Sequence, residues 1–181
     1  IEDPRNKSVL ISINGDLFPR EEAKISVFDA GFLLGDGVWE SFRLHEGNLV
    51  FFEEHIDRLF KGAKSISLSI GRNREEITRE VERVIEANGM EDEVHIRLVI
   101  SRGIKSTPYQ APWVISSIPT MVIIPEFKKA NPERLEIGIS LVSVGTRRGG
   151  PEIQDPRINS ISKHNCISAC IEAGKMGVDE G

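Results

Sequence analysis

Lys163 stands between Ser162 and His164, directly before an apolar run with helical spacing. A deprotonated lysine amine is a nucleophile that can anchor a carbonyl compound, provided burial or a nearby cation favours the neutral form. A lysine near a helix start is otherwise an ordinary solvated charge, and the local sequence leaves both readings open. Three arginines are the other candidates. Arg97 interrupts the alternation of Val94, Ile96, Leu98 and Ile100, so it faces away from their apolar side. Its planar guanidinium suits a carboxylate or phosphate as well as it suits a solvated sheet face. Arg102 closes the same stretch before Gly103. Arg58, in "EEHIDRLF", can pair with Glu54 along a helix or clamp a phosphate. The glycine-rich "GFLLGDGVWE" fits neither a dinucleotide nor a P-loop spacing and implies tight turns only. No zinc-ligand spacing is present, and no metal is expected.

These residues need elements to hold them. "SVLISINGDLF" reads as a hairpin turning at Asn14-Gly15, and "AKISVFD" as a further strand. Gly47-Asn48 joins "VWESFRL" to "LVFF" in a second hairpin. Ile56, Leu59, Phe60 and Ala63 mark one amphipathic helix; Ile77, Val81, Val84 and Ile85 mark a second, with Gly89 just beyond its end. "EVHIRLVISRG" alternates as a half-buried strand. "PTMVIIPEF" is continuously apolar and is expected to be buried on both faces. After it, "PEFKKANPERL" is polar and proline-flanked, the signature of a boundary. "LEIGISLVSVGT" reads as a strand, "RRGGPEIQDPR" as a loop, and the remainder turns helical. The expected organisation is α+β. A small N-terminal α/β domain spans 1–125, a linker 126–134, and the start of a second domain 135–181. One strand and one helix cannot bury a core, so that second domain is expected to be incomplete within these residues.

The chain has 181 residues, 39% hydrophobic and 28% charged, with net charge -5. That composition is ordinary for a globular protein, and the negative charge disfavours nucleic acid and anionic membrane as partners. No apolar run reaches the roughly 20 residues a bilayer span requires. The first residues are polar, so no signal peptide is expected and the location is read as cytoplasmic. Cys166 and Cys170 are expected to be small buried residues.

"SVFDAGFLLGDGVWESFRLHEGNLVFFEEHIDRLFKGA" resembles the N-terminal signature of the fold-type IV pyridoxal-phosphate enzymes. These include branched-chain aminotransferases, D-amino-acid aminotransferases and aminodeoxychorismate lyases. "HIRLVISRG" resembles the strand after the family's second helix, and "INSISKHNCISACIEAGKMGVDEG" its cofactor-lysine region. The resemblance implies a small α/β domain joined to a larger pseudo-barrel domain, truncated in this sequence, with pyridoxal 5'-phosphate between them and a homodimeric assembly. By position, Arg58 matches the arginine that grips the cofactor phosphate. Phe32 and Trp39 match aromatic positions of the substrate pocket. Arg97 matches the arginine that meets a dicarboxylate's distal group in branched-chain enzymes. Arg102 matches the arginine that takes the α-carboxylate in D-amino-acid enzymes, so two subfamily cues coexist. The implied activity is transamination of an amino acid with an apolar side chain, with 2-oxoglutarate as acceptor and Lys163 as the Schiff-base lysine. The implied alternatives are an aminodeoxychorismate lyase, a D-amino-acid aminotransferase and a non-catalytic relative.

One departure matters. Counted back from "EAGKMGVDEG" without gaps, the family's lysine position falls on Asn159, and Lys163 follows four residues later. Four residues make about one helical turn, about 5.4 Å of pitch, which a lysine leaning toward the helix N-terminus can partly offset. Either Lys163 reaches back one turn to serve as the anchor, or Asn159 marks a chain that cannot form the usual link.

Overall fold

The computed structural model describes residues 3–181. These divide into two units. The first runs to Lys129 and takes in Ile158–Ile161; the second comprises Ala130–Arg157 and Ser162–Gly181.

The first unit is built on a six-stranded antiparallel sheet. Its strands are β1 (Leu10–Ile13), β2 (Asp16–Pro19), β3 (Gly37–His45), β4 (Asn48–Leu49), β5 (Val94–Ser101) and β6 (Thr120–Phe127), in spatial order β2-β1-β6-β5-β3-β4. The first hairpin turns at Asn14-Gly15 as expected; the second turns at Glu46-Gly47, one residue before the expected Gly47-Asn48, with both residues at positive φ and Asn48 already paired to His45. Alternation in β5 is carried through: Val94, Ile96, Leu98 and Ile100 are fully buried while Arg97 is exposed. The buried side packs on α2 (Phe52–Ser65) and α3 (Arg74–Ala87), through Ile56, Leu59 and Ala63 from one and Ile77, Val81 and Val84 from the other. Asn73 and Glu76 satisfy each other's backbone N–H groups at the start of α3, which fixes where that helix begins.

Strand β6 alternates in burial rather than being buried on both faces, because helices cover only one side of the sheet. Its Pro125 lacks a donor on the edge toward β1, where pairing ends at Ser12↔Ile123. Buried Asn6 resumes that edge further on: its amide accepts from the Phe127 N–H at 2.8 Å and donates to the Phe127 carbonyl at 2.9 Å. The strand therefore runs through Glu126 and Phe127, past the expected boundary at 125.

Two further expectations are corrected. Residues 23–29 are not a strand: Asp29 caps the short helix α1 (Ala30–Leu34), accepting from the Gly31 N–H at 2.8 Å. The segment Ile158–Ile161, expected in the second domain, lies along the edge of β3. Trp39 N–H donates to the Asn159 carbonyl at 2.8 Å and Ile161 N–H to the Gly37 carbonyl at 3.2 Å. Gly37 leaves no room there for a Cβ: one would stand 2.4 Å from the Ile100 carbonyl and 2.9 Å from Ile161.

The second unit contains α4 (Pro132–Ile137), α5 (Pro151–Gln154) and α6 (His164–Lys175). The expected linker and strand give way to α4, which Asn131 caps and Pro132 starts. The expected loop at 147–157 contains α5. Carboxylates order the rest: Asp179 accepts from the Ser140 N–H and hydroxyl, Glu172 from the Gly145 N–H and the Thr146 hydroxyl. Among the described residues of this unit, Ala173 is the buried apolar side chain, while Leu135, Ile137 and Ile153 are exposed. Cys166 and Cys170 are exposed free thiols rather than buried residues, since the helix face they share has little packed on it. No helix among the described residues is long and apolar enough to cross a membrane.

Candidate functional site

The densest polar cluster forms around a carboxylate that sequence reading passed over. Glu40 lies on β3 with its side chain fully buried. Strand alternation turns it to the helix side, among Val38, Phe42 and Leu44, where a lone charge would be prohibitively unstable. Three neighbours compensate it. Arg58, from the middle of α2, donates Nε to Oε1 at 2.6 Å and Nη2 to Oε2 at 2.7 Å. His55, one turn earlier, brings Nδ1 to 2.8 Å of Oε2. Asn159 donates Nδ2 to Oε1 at 3.2 Å. Arg58 thus pairs with a β3 carboxylate and not with Glu54. That two-point contact holds the guanidinium pKa above its ordinary value, against a smaller effect of burial.

The fork uses Nε and Nη2. Nη1 is engaged by none of these groups, and the side chain is 52% exposed. A half-exposed guanidinium with a fixed orientation and an unused edge fits a phosphate group. At the carbonyl end of an aldehyde cofactor the fit differs: Asn159, which converges on the same carboxylate, carries an amide that cannot form a covalent link. Lys163 lies in the second unit, half-buried, as the residue preceding the first turn of α6.

The other face of the sheet holds a second group. Trp39 and Arg97 meet there, the guanidinium carbon 4.6 Å from the centre of an indole ring. The indole N–H donates to the Ser160 carbonyl at 3.1 Å, which fixes the ring. Among the described residues no carboxylate or carbonyl takes the Arg97 N–H groups, so the stacked guanidinium keeps its donors for another anion. His95 sits next to it on this face, opposite Arg43 on β3 and Glu126 on β6. Burial first, then the positive charges of Lys128, Arg97 and Arg43, pull its pKa below the ordinary value of 6.5. The folded chain holds off a proton that the unfolded chain takes up, so His95 should lower stability as pH falls below about 6.5. An NMR titration of His95 should give a midpoint under that value, and His95→Gln should flatten the pH dependence of urea unfolding. A midpoint at or above that ordinary value would contradict this.

Arg102, matched by position to a substrate carboxylate, is engaged with its own chain. Its side chain is 13% exposed and donates to Asp36 at 2.7 and 3.0 Å and to the carbonyls of Ile66 and Ser67 at 2.8 and 2.9 Å. These four bonds tie the end of α2 to the end of β5 and engage four of the five guanidinium N–H groups. Arg102→Ala should cost about 1–3 kcal/mol, the range for stranding partly buried polar partners, read as a lower midpoint in urea at constant m. Substrate KM should stay unchanged in the folded variant; a large rise in KM with intact stability would return Arg102 to the substrate. Phe32, on α1, is 67% exposed.

Comparison with known proteins identifies the family. The family described as amino-transferase class IV matches residues 37–181. The branched-chain-amino-acid aminotransferase-like protein 2 of Arabidopsis thaliana is 37% identical over 177 residues, 98% of this chain and 32% of that protein. A putative branched-chain-amino-acid aminotransferase of Methanocaldococcus jannaschii is 34% identical over 170 residues, 94% of this chain and 57% of that one. Among solved structures, the branched-chain aminotransferase of the thermophilic archaeon Thermoproteus uzoniensis, crystallised with norvaline, superposes with a TM-score of 0.80 at 25% identity. That match covers 95% of this chain and 58% of the other. The chain therefore spans about a third to somewhat over half of the proteins it resembles.

Proposed function

The chain belongs to the class IV aminotransferases, and from that membership we propose that it serves the pyridoxal-phosphate-dependent transamination of an amino acid with an apolar, branched-chain-like side chain, with 2-oxoglutarate as acceptor. The observation that carries this reading is the half-exposed Arg58 guanidinium, clamped on buried Glu40 with its Nη1 edge unused. Arg58 binds the cofactor phosphate through that edge. Trp39 forms a wall of the substrate pocket, and Arg97, stacked on it with unspent donors, binds the distal carboxylate of the acceptor. The D-amino-acid alternative rests on the position of Arg102, whose guanidinium is engaged with Asp36 and the Ile66 carbonyl.

When bound, pyridoxal phosphate supplies an electron sink for charge released at the substrate Cα. The protein must supply a base that takes the Cα proton and an acid that returns one. Lys163 is assigned that amine: an ε-amine can hold the cofactor and, once freed, carry the proton.

A second reading rests on a specific contact. Asn159, at the position where the family carries its lysine, donates to the carboxylate that holds Arg58. On this reading the chain binds the cofactor without a covalent link and is a non-catalytic relative. Full-length protein loaded with pyridoxal phosphate separates the two. The first reading expects a visible absorbance band that borohydride reduces and fixes to the protein through Lys163. No fixed label, or a label that survives Lys163→Ala, overturns the Lys163 assignment; activity with leucine, glutamate and D-alanine then tests the substrate class.

A further inference from the structure

We propose that Glu40 is the positioning residue of the phosphate site: its buried carboxylate sets the Arg58 guanidinium in the one orientation that presents Nη1 outward. The proposal rests on the reading of Arg58 given above and adds a residue that never touches the cofactor. Glu40 is the hub of three separate stretches of chain. Oε1 accepts from Arg58 Nε and Asn159 Nδ2, and Oε2 accepts from Arg58 Nη2 and faces His55 Nδ1. Because the carboxylate is fully buried and anchored on a central part of β3, it cannot move to follow Arg58; Arg58 must come to it. Two parallel N–H···O bonds fix a planar guanidinium in position and in roll, which one bond or a diffuse charge does not. The rotamer entropy of a long side chain is thereby lost on folding and not on binding.

Charge alone argues the opposite way. Glu40 adds a negative charge close to a site proposed for a phosphate and uses part of the Arg58 charge. Were simple attraction decisive, removing the Glu40 charge would tighten phosphate binding. Were orientation decisive, it would weaken it. Glu40→Gln makes this test with almost no change in size, since a glutamine can accept from one guanidinium nitrogen but confronts the other with its own NH2 group.

The probes are pyridoxamine 5'-phosphate and pyridoxamine, titrated into full-length protein by calorimetry. Neither has an aldehyde, so Lys163 and Asn159 do not enter the result. Glu40→Gln should bind pyridoxamine 5'-phosphate about tenfold or more weakly, the value of one charge-assisted hydrogen bond, and pyridoxamine within about twofold of wild type. A general structural defect would weaken both probes alike. Unchanged or tighter binding of the phosphorylated probe overturns the proposal. Arg58→Ala serves as the control for the underlying reading: if it too leaves that affinity unchanged, the assignment of Arg58 to phosphate is what fails. Should Glu40→Gln not fold, Glu40→Asp decides. It keeps the charge but draws the carboxylate back by one methylene, so a folded Glu40→Asp protein with wild-type affinity for pyridoxamine 5'-phosphate also overturns the proposal.

Discussion

Arg58→Ala should destabilise the protein by about 2–4 kcal/mol. Arg58 is half-exposed, and a surface ion pair of that kind is ordinarily worth well under about 1 kcal/mol because water screens it. The expected loss comes from the other partner. Glu40 is fully buried, and without the guanidinium its carboxylate retains His55 and the Asn159 amide as its neighbours. Stranding a buried charge costs far more than an exposed pair returns. The measurement is urea unfolding of Arg58→Ala beside Arg58→Met/Glu40→Leu. The double variant should recover much of the loss, because it removes the stranded charge and fills the space with apolar volume. A single variant that loses less than about 1 kcal/mol, within the range of surface pairs, would show that the cluster is not the unit described.

Lys163→Ala should lower kcat by about 10²–10⁴-fold, the usual range for loss of a positioned acid–base group, with the borohydride-fixed label lost as well. Asn159→Ala should keep both. The reverse pattern would identify the second reading: Lys163→Ala would then be without effect on cofactor binding, and Asn159→Lys would create a fixed label where none existed. That gain is expected because Asn159 stands where the family's lysine position falls; the Glu40 carboxylate beside it would by itself favour the charged amine, and Arg58, paired to that carboxylate, offsets it. The pair of substitutions separates an anchor displaced by four residues from an anchor lost.

Both tests turn on the part of the molecule least visible in one dimension. Glu40 reads locally as one more acidic residue in a strand. Its significance arises because α2 crosses β3 at that point, and because Asn159, 119 positions away, folds back along the edge of β3. Arg58 reads as a partner for Glu54 when helix spacing alone is considered. Packing gave it Glu40, since a fully buried carboxylate demands a partner more strongly than a solvated one does. Arg102 and Arg97 look equivalent along the chain, two guanidinium groups near one strand end. Asp36 and the carbonyls of Ile66 and Ser67 engage the first, while the indole of Trp39 leaves the donors of the second available.

What the sequence determined by itself is whatever short-range geometry dictates. A two-residue period put Arg97 on the open face of β5, and a 3.6-residue period laid out α2 and α3. The Asn14-Gly15 pair set the first hairpin, Gly47 marked the second to within one residue, and simple counting exposed the Asn159–Lys163 offset. It misjudged residues 23–29 and 135–146, where apolar residues suggested strands but the chain forms isolated bridges at Asp29↔Ile104 and Leu141↔Glu180 and no extended ladder. What the tertiary structure alone decided is which polar groups are buried together. Burial is a property of the folded surface and not of any stretch of chain, and the energy of a charge depends on what shares its low-dielectric surroundings.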